Sequence, residues 1–144
     1  MDVSQVVTPI EIVKAFVLSH AAVAERVGDR VWLNVTEPAK GWTPECGDGL
    51  IITTRSGDIH PDVPIWRLSY YFRAYAMSPL NAEQLFTLIT DEIHGCANVP
   101  VYIAEQKVGW LVLCELSMMP VPDRTQKVGW PYVMGAFDLT MTRG

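Results

Sequence analysis

The chain is short of charge. Asp, Glu, Lys and Arg make up 19% of its 144 residues, against about a quarter in an ordinary soluble domain. A chain that is 49% hydrophobic and sparsely charged must bury apolar surface within itself or against partners. Clustered basic residues are also missing. Eleven Lys and Arg lie scattered among 16 Asp and Glu, for a net charge of −5. That argues against a sequence-independent grip on nucleic acid, which needs clustered cations to release counterions. An acidic surface does suit a channel through which DNA slides without sticking. The cysteines, Cys46, Cys96 and Cys114, are odd in number and show no CxxC or metal-like spacing. They read as free thiols kept in a reducing compartment. A basic segment followed by an apolar run, as in a signal peptide, is not found at the start. No apolar run reaches the length of a membrane span, so no membrane partner is expected. There is no GxxxxGK[ST] and no GxGxxG; "VGDRV" (27–31) and "GDGLI" (47–51) read as turns into strands.

What is present is strong patterning over a length suited to one domain, 1–144, with one core. Thr8, Pro9 and Glu11 form a capping box with proline at the first helical position. Val13, Phe16, Val17, Ala21 and Ala24 follow at helical spacing and Gly28 supplies a stop, which predicts a helix over 9–27 with a possible break at Ser19-His20. Strands are expected at 30–34 and 50–56, separated by a long loop rich in Pro and Gly, with a turn over 57–64. The stretch 65–76 alternates. Trp66, Leu68, Tyr70, Phe72, Ala74 and Ala76 fall on one face, while Ile65, Arg67, Ser69, Tyr71, Arg73 and Tyr75 fall on the other. At about 3.3 Å per residue such a strand spans about 40 Å, roughly twice the usual length. A second helix is predicted over 78–95, with Ala82, Leu85, Leu88, Ile89 and Ile93 as its apolar stripe. Further strands are expected at 101–105, 109–119 and 130–142, with Trp110, Val112, Cys114, Leu116 and Met118 in one phase and Val133, Phe137, Leu139 and Met141 in another. The order α-β-β-β-α-β-β, with the short 101–105 segment in addition, predicts an α+β fold of two layers: a mostly antiparallel sheet with two helices on one face. The second face of each long strand is then left short of partners within the chain.

Candidate chemistry is thin. His94 and Cys96 lie close together, and a Cys–His pair can make a nucleophile. No third orienting group or oxyanion site accompanies them, and His94 in a last helical turn reads as a favourable contact with the helix dipole. Asp91, Glu92 and His94 would need His20 or His60 to complete a metal site; nothing in the spacing demands one, and a solvated helix face is much the better reading. No catalytic residue, cofactor or metal is expected. The outer face of 65–76 carries residue types enriched at protein interfaces: Arg67, Tyr71, Arg73 and Tyr75. Trp42, in "PAKGWTPE", is either an anchor of its loop or a plug into a partner. Arg124, in the loop 120–129, is a further candidate contact.

At this point the chain resembles the tail terminator proteins of long-tailed bacteriophages, also called tail completion or tail-to-head joining proteins. The likeness rests on the opening helix leading through "AAVAERVGDRVW" (21–32) into a strand, on "GLIITTRSG" (49–57), and on the run from "WRLSYYFRAYAMS" (66–78) into "NAEQLFTLITDEIHG" (81–95). It covers nearly the whole chain. The resemblance implies a virion protein without enzymatic activity or cofactor, assembled in the host cytoplasm into a hexameric ring. That ring sits on the last ring of the tail tube, ends its polymerisation and docks the head connector, while DNA passes through its lumen without specific binding. The loops 35–48 and 119–131 look individual to this chain. Another neck ring component, such as a head–tail stopper or adaptor, or a minor tail protein fits the same features. A small-molecule-binding α+β domain is the reading from a different class.

Overall fold

The computed structural model describes residues 6–59, 65–122 and 130–143. The chain opens with helices α1 (Pro9–Leu18) and α2 (Ala21–Val27), then strands β1 (Val31–Leu33), β2 (Gly49–Ile59) and β3 (Ile65–Tyr75). Helix α3 (Pro79–Ile93) follows, and strands β4 (Ala97–Ile103), β5 (Gln106–Pro122) and β6 (Tyr132–Arg143) complete it. All six strands join one sheet in the order β1-β2-β3-β6-β5-β4, in which every pairing is antiparallel except the parallel β1–β2 pair. The expected α+β class and two-layer plan hold.

The local grammar explains the elements. Thr8 and Glu11 close the capping box, the Thr8 hydroxyl donating to Glu11 Oε1 at 2.7 Å. That hydrogen bonding holds the Glu11 carboxyl below its usual range. The predicted 9–27 helix breaks at Ser19-His20. Ser19 ends α1 by donating to the Phe16 carbonyl at 2.6 Å, and α2 starts at His20 without a side-chain cap. The layer therefore has three helices, not two. Gly28, at φ 55°, then turns the chain into β1. Ser78 caps α3 by accepting from Asn81 N–H at 3.1 Å.

One face of the sheet carries the core. Leu50 and Ile52 from β2, Tyr70, Phe72 and Ala74 from β3, and Phe137, Leu139 and Met141 from β6 pack against Ile12, Val13, Phe16, Leu85, Phe86 and Ile89 of the helices. These side chains are essentially inaccessible. Burial in that state pushes the Tyr70 hydroxyl up to about 12.

Several strands differ from expectation. β2 runs on to Ile59, past a bulge at Thr54/Ser56, and takes in the first residues of the expected turn. β4 starts at Ala97, not at 101, and turns into β5 at Ala104-Glu105, both at positive φ. β5 spans 17 residues and carries three register shifts. The first lies between Leu111 and Leu113 and flips the pleat. Leu111 is thus buried while Trp110 faces outward, out of phase with Cys114 and Leu116. A bulge adds one residue and reverses every side chain beyond it.

Gly135 in β6 shows how tightly α3 seats. A Cβ there would overlap Phe86 Cζ and come within 2.8 Å of the Met118 carbonyl. Gly135→Ala should therefore lower stability by about 1–3 kcal/mol through overpacking. Urea denaturation checks this; a variant with unchanged midpoint would show that the Phe86 seat has slack.

Candidate functional site

The second face of the sheet is divided in two. One end is covered by the segment between β1 and β2. Asn34, at φ 52°, leads the chain out of β1, and its side-chain oxygen accepts from Thr54 N–H at 2.8 Å. The chain then returns through a 3-10 turn (Pro44–Cys46) to enter β2 parallel to β1. Trp42 drops from this segment onto the sheet. It packs with Ile51 and Tyr75 in a second small core flanked by Trp32 and Tyr132. Its ring meets Trp32, Tyr75 and Trp130 edge-on at centroid distances of 5.6, 5.9 and 6.4 Å. Its indole N–H donates to the Gly47 carbonyl at 3.1 Å. The entry to β2 is tied down from the other side. Arg26 pairs with Asp48 at 2.6 Å, and Arg30 donates to the Asp48 and Arg26 carbonyls.

This settles the two readings of Trp42. It is 9% exposed and anchors its own loop. Tyr75, at 2% exposure, belongs to the same cluster, so neither side chain is presented to a partner. Both expected interface assignments are corrected for one reason. At this end the outer face is already covered by the chain itself. Arg73 takes part too: its guanidinium donates to the Thr36 carbonyl at 2.9 Å and lies over the Tyr132 ring. Arg124 falls outside the described residues.

The other end of that face is left uncovered by the described residues. Arg55, Asp58, Arg67, Ser69, Glu115, Ser117, Asp138 and Thr140 line a shallow trough of about 740 Å³ across β2, β3, β6 and β5. Arg67 is exposed, and Tyr71 is half-buried with Arg55 over its ring at 5.4 Å. The basic residues sit on β2 and β3, and Glu115 and Asp138 on β5 and β6, where register sets them opposite each other. Asp58 and Arg67 are cross-strand partners, yet the one salt bridge among the described residues is Arg26–Asp48. The buried side-chain polar atoms without a hydrogen-bond partner, Thr53 Oγ1, Ser69 Oγ and Arg73 Nε, all belong to this outer face. Buried polar groups are ordinarily paired.

The cysteine chemistry is rearranged. Cys96 meets His20, not His94, with 3.8 Å between Sγ and Nε2, and its thiol donates to the Glu92 carbonyl. Burial, then the nearby Glu92 charge, raises its pKa, opposite to the lowering that marks a reactive thiol. His94 accepts from Leu116 N–H at 2.9 Å and so closes the end of the β4–β5 ladder. His60 lies outside the described residues. No group of three or more His, Cys, Asp and Glu is gathered for a metal ion among the described residues, and no helix among them is long and apolar enough to cross a membrane.

With this geometry in hand, comparison with known proteins gives one kind of result. No family model and no curated protein matches the sequence. The fold, however, is similar to that of a chain in the virion of a native gene transfer agent particle, with a TM-score of 0.55 over 92% of both chains at 13% identity. At that identity the likeness establishes a shared fold across nearly the whole chain.

Two outcomes follow from this geometry. Trp42→Ala should cost about 3 kcal/mol, since a buried aromatic is lost and the loop is freed; chemical denaturation measures it, and an unchanged midpoint would refute the anchoring role. The three thiols should react with an aromatic disulfide reagent in a fixed order. Cys46 is exposed and its pKa is lowered by hydrogen bonds from Thr43, first from the backbone and then from the hydroxyl, so it reacts first. Cys114 is buried, and burial pushes its thiol up to about 12, so it reacts only on unfolding. Rapid modification of Cys114 in the folded protein would contradict this order.

Proposed function

We propose that this chain is a structural virion protein: a tail terminator whose subunits form a hexameric ring on the end of the tail tube. In this role the ring stops tube polymerisation and gives the head connector a docking surface, and DNA passes through its lumen without specific contacts. The subunit acts as a scaffold and carries out no catalysis. The observation that carries this reading is the match, over nearly the full length of both chains, to a chain of a virion particle. The open sheet face supports it, because a two-layer protomer with one polar, uncovered face suits a repeating assembly. Among the expected contact residues, Arg67 and Tyr71 are the ones this reading assigns to a partner contact there. Repeated contacts of one surface with a different surface of the next subunit generate a ring where the rotation between neighbours closes.

The test has two parts. Native mass and negative-stain images should show a closed ring near six subunits, alone or on tube ends. Removing the gene should leave overlong tails that fail to dock. Tails of normal length that cannot join filled heads would instead identify another neck component, a stopper or adaptor. Particles unaffected by the loss would end the structural reading altogether.

A further inference from the structure

From the junction of α3 with the sheet we infer that Cys96 and Cys114 are a redox pair, which thiol–disulfide exchange closes into a covalent link between the start of β4 and the middle of β5. The inference concerns the single chain and does not depend on the assembly reading above. Two backbone hydrogen bonds set the pair. Gly95, at φ 84°, donates to the Cys114 carbonyl at 2.8 Å, and Cys114 N–H donates to the Cys96 carbonyl at 2.9 Å. Two residues of one strand thus face a single residue of the other, with a left-handed glycine first, which is the pattern of a G1 bulge. The ladder continues at Ala97 opposite Leu113, so it begins with Cys96 set against Cys114. Residues bonded across an antiparallel ladder stand about 5.5 Å apart at Cα, within the roughly 4.4–6.8 Å that a disulfide spans. Both side chains meet the helix side of the sheet. Cys114 is fully buried in the core, and Cys96 packs against the same core cluster.

Access orders the chemistry. Cys114 is closed to solvent while Cys96 is half-buried, so an oxidant from solution meets Cys96 first and Cys114 is oxidised only through it. With a small organic disulfide such as oxidised glutathione, the Cys96 thiolate attacks one sulfur and expels the first glutathione thiolate. Cys114, after losing its proton, attacks Sγ of Cys96 in the mixed disulfide, forms the new S–S bond and expels the second. Two protein thiols are oxidised, one glutathione disulfide is reduced to two thiols, and the two protons pass to them. Burial raises both protein thiols, which keeps the thiolate fraction low and the exchange slow. Closure gives up little: the Cys96 thiol leaves the Glu92 carbonyl, to which it donates at 3.3 Å, and its 3.8 Å contact with His20 Nε2. The link fixes the α3 end of an edge strand that Asn98, at φ 55°, and a register shift at Val101/Tyr102 make irregular. A reducing compartment keeps the pair open, and an oxidising one closes it.

Prolonged incubation of the folded chain with oxidised glutathione tests the pair, with Cys46→Ser removing the exposed thiol. This variant should lose the mass of two hydrogens and show no free thiol after unfolding. Digestion without reductant should release one joined peptide pair holding Cys96 and Cys114, which reductant separates. The oxidised form should melt at a higher temperature than the reduced one, because the link closes a loop in the unfolded chain. Cys96→Ala tests the route, since Cys114 should then stay a free thiol under the same oxidant. The pair is wrong if Cys46→Ser keeps both thiols, if it stops with glutathione on Cys96, or if the link forms only in denaturant. The route is wrong if Cys114 is oxidised as readily in folded Cys96→Ala as in the parent. A link that lowers the melting temperature would overturn its role in fixing the strand.

Discussion

The pleat of β3 is the constraint on which the rest of the structure depends. It lies between β2 and β6, with its residues alternating between two faces along 11 positions. A central strand that long cannot leave both faces to water. The chain meets the demand on one side with three helices, whose apolar stripes close a continuous core from Ile12 to Met141. On the other side, among the described residues, it has the segment between β1 and β2, which covers the Tyr75 end with Trp42. The remaining stretch of outer face, from Arg67 to Tyr71, is polar or amphipathic. A polar face can stand in water at less cost than an apolar one.

Much of this was legible in the sequence, and what was not has definite physical causes. The Thr8-Pro9-Glu11 start and the Ser78-Pro79 start were readable because caps are local chemistry. The two faces of β3 were readable because alternation is local as well. The burial of Tyr75 was not, since it comes from a loop some 30 residues away whose aromatic could equally have pointed outward. The phase of Trp110 was misread because a bulge is invisible to a count of alternate residues. The start of β4 was missed because Asn98 at φ 55° and Pro100 are poor strand formers, tolerated at the sheet edge where no further ladder is needed. The pairing of Cys96 with His20 rather than His94 joins residues 76 apart. Only tertiary structure can bring them together.

The Val27–Arg30 turn illustrates how a motif suggestive of relationship can be explained structurally. Gly28 takes the positive φ, Arg30 reaches across to the Asp48 carbonyl, and Arg26 pairs with the Asp48 carboxylate. Gly47, at φ 119° beneath the Arg30 guanidinium, holds a backbone conformation that favours glycine. These contacts fix the entry of β2 beside β1, and so hold in place the parallel pair and the loop that carries Trp42. The motif's physical role is to close one corner of the sheet. A turn with that structural role carries no functional signal of its own, and the functional surface is to be sought elsewhere, on the face that the corner leaves uncovered.

Low overall charge and an open face are two sides of one arrangement. The few charges are not spread evenly: five of them line a single trough, and the outer stripe of α3 is acidic without compensation. An apolar open face would make the protomer prone to collapse onto any neighbour. A face that carries charges of both signs selects among partners, because a wrong placement sets like charges together.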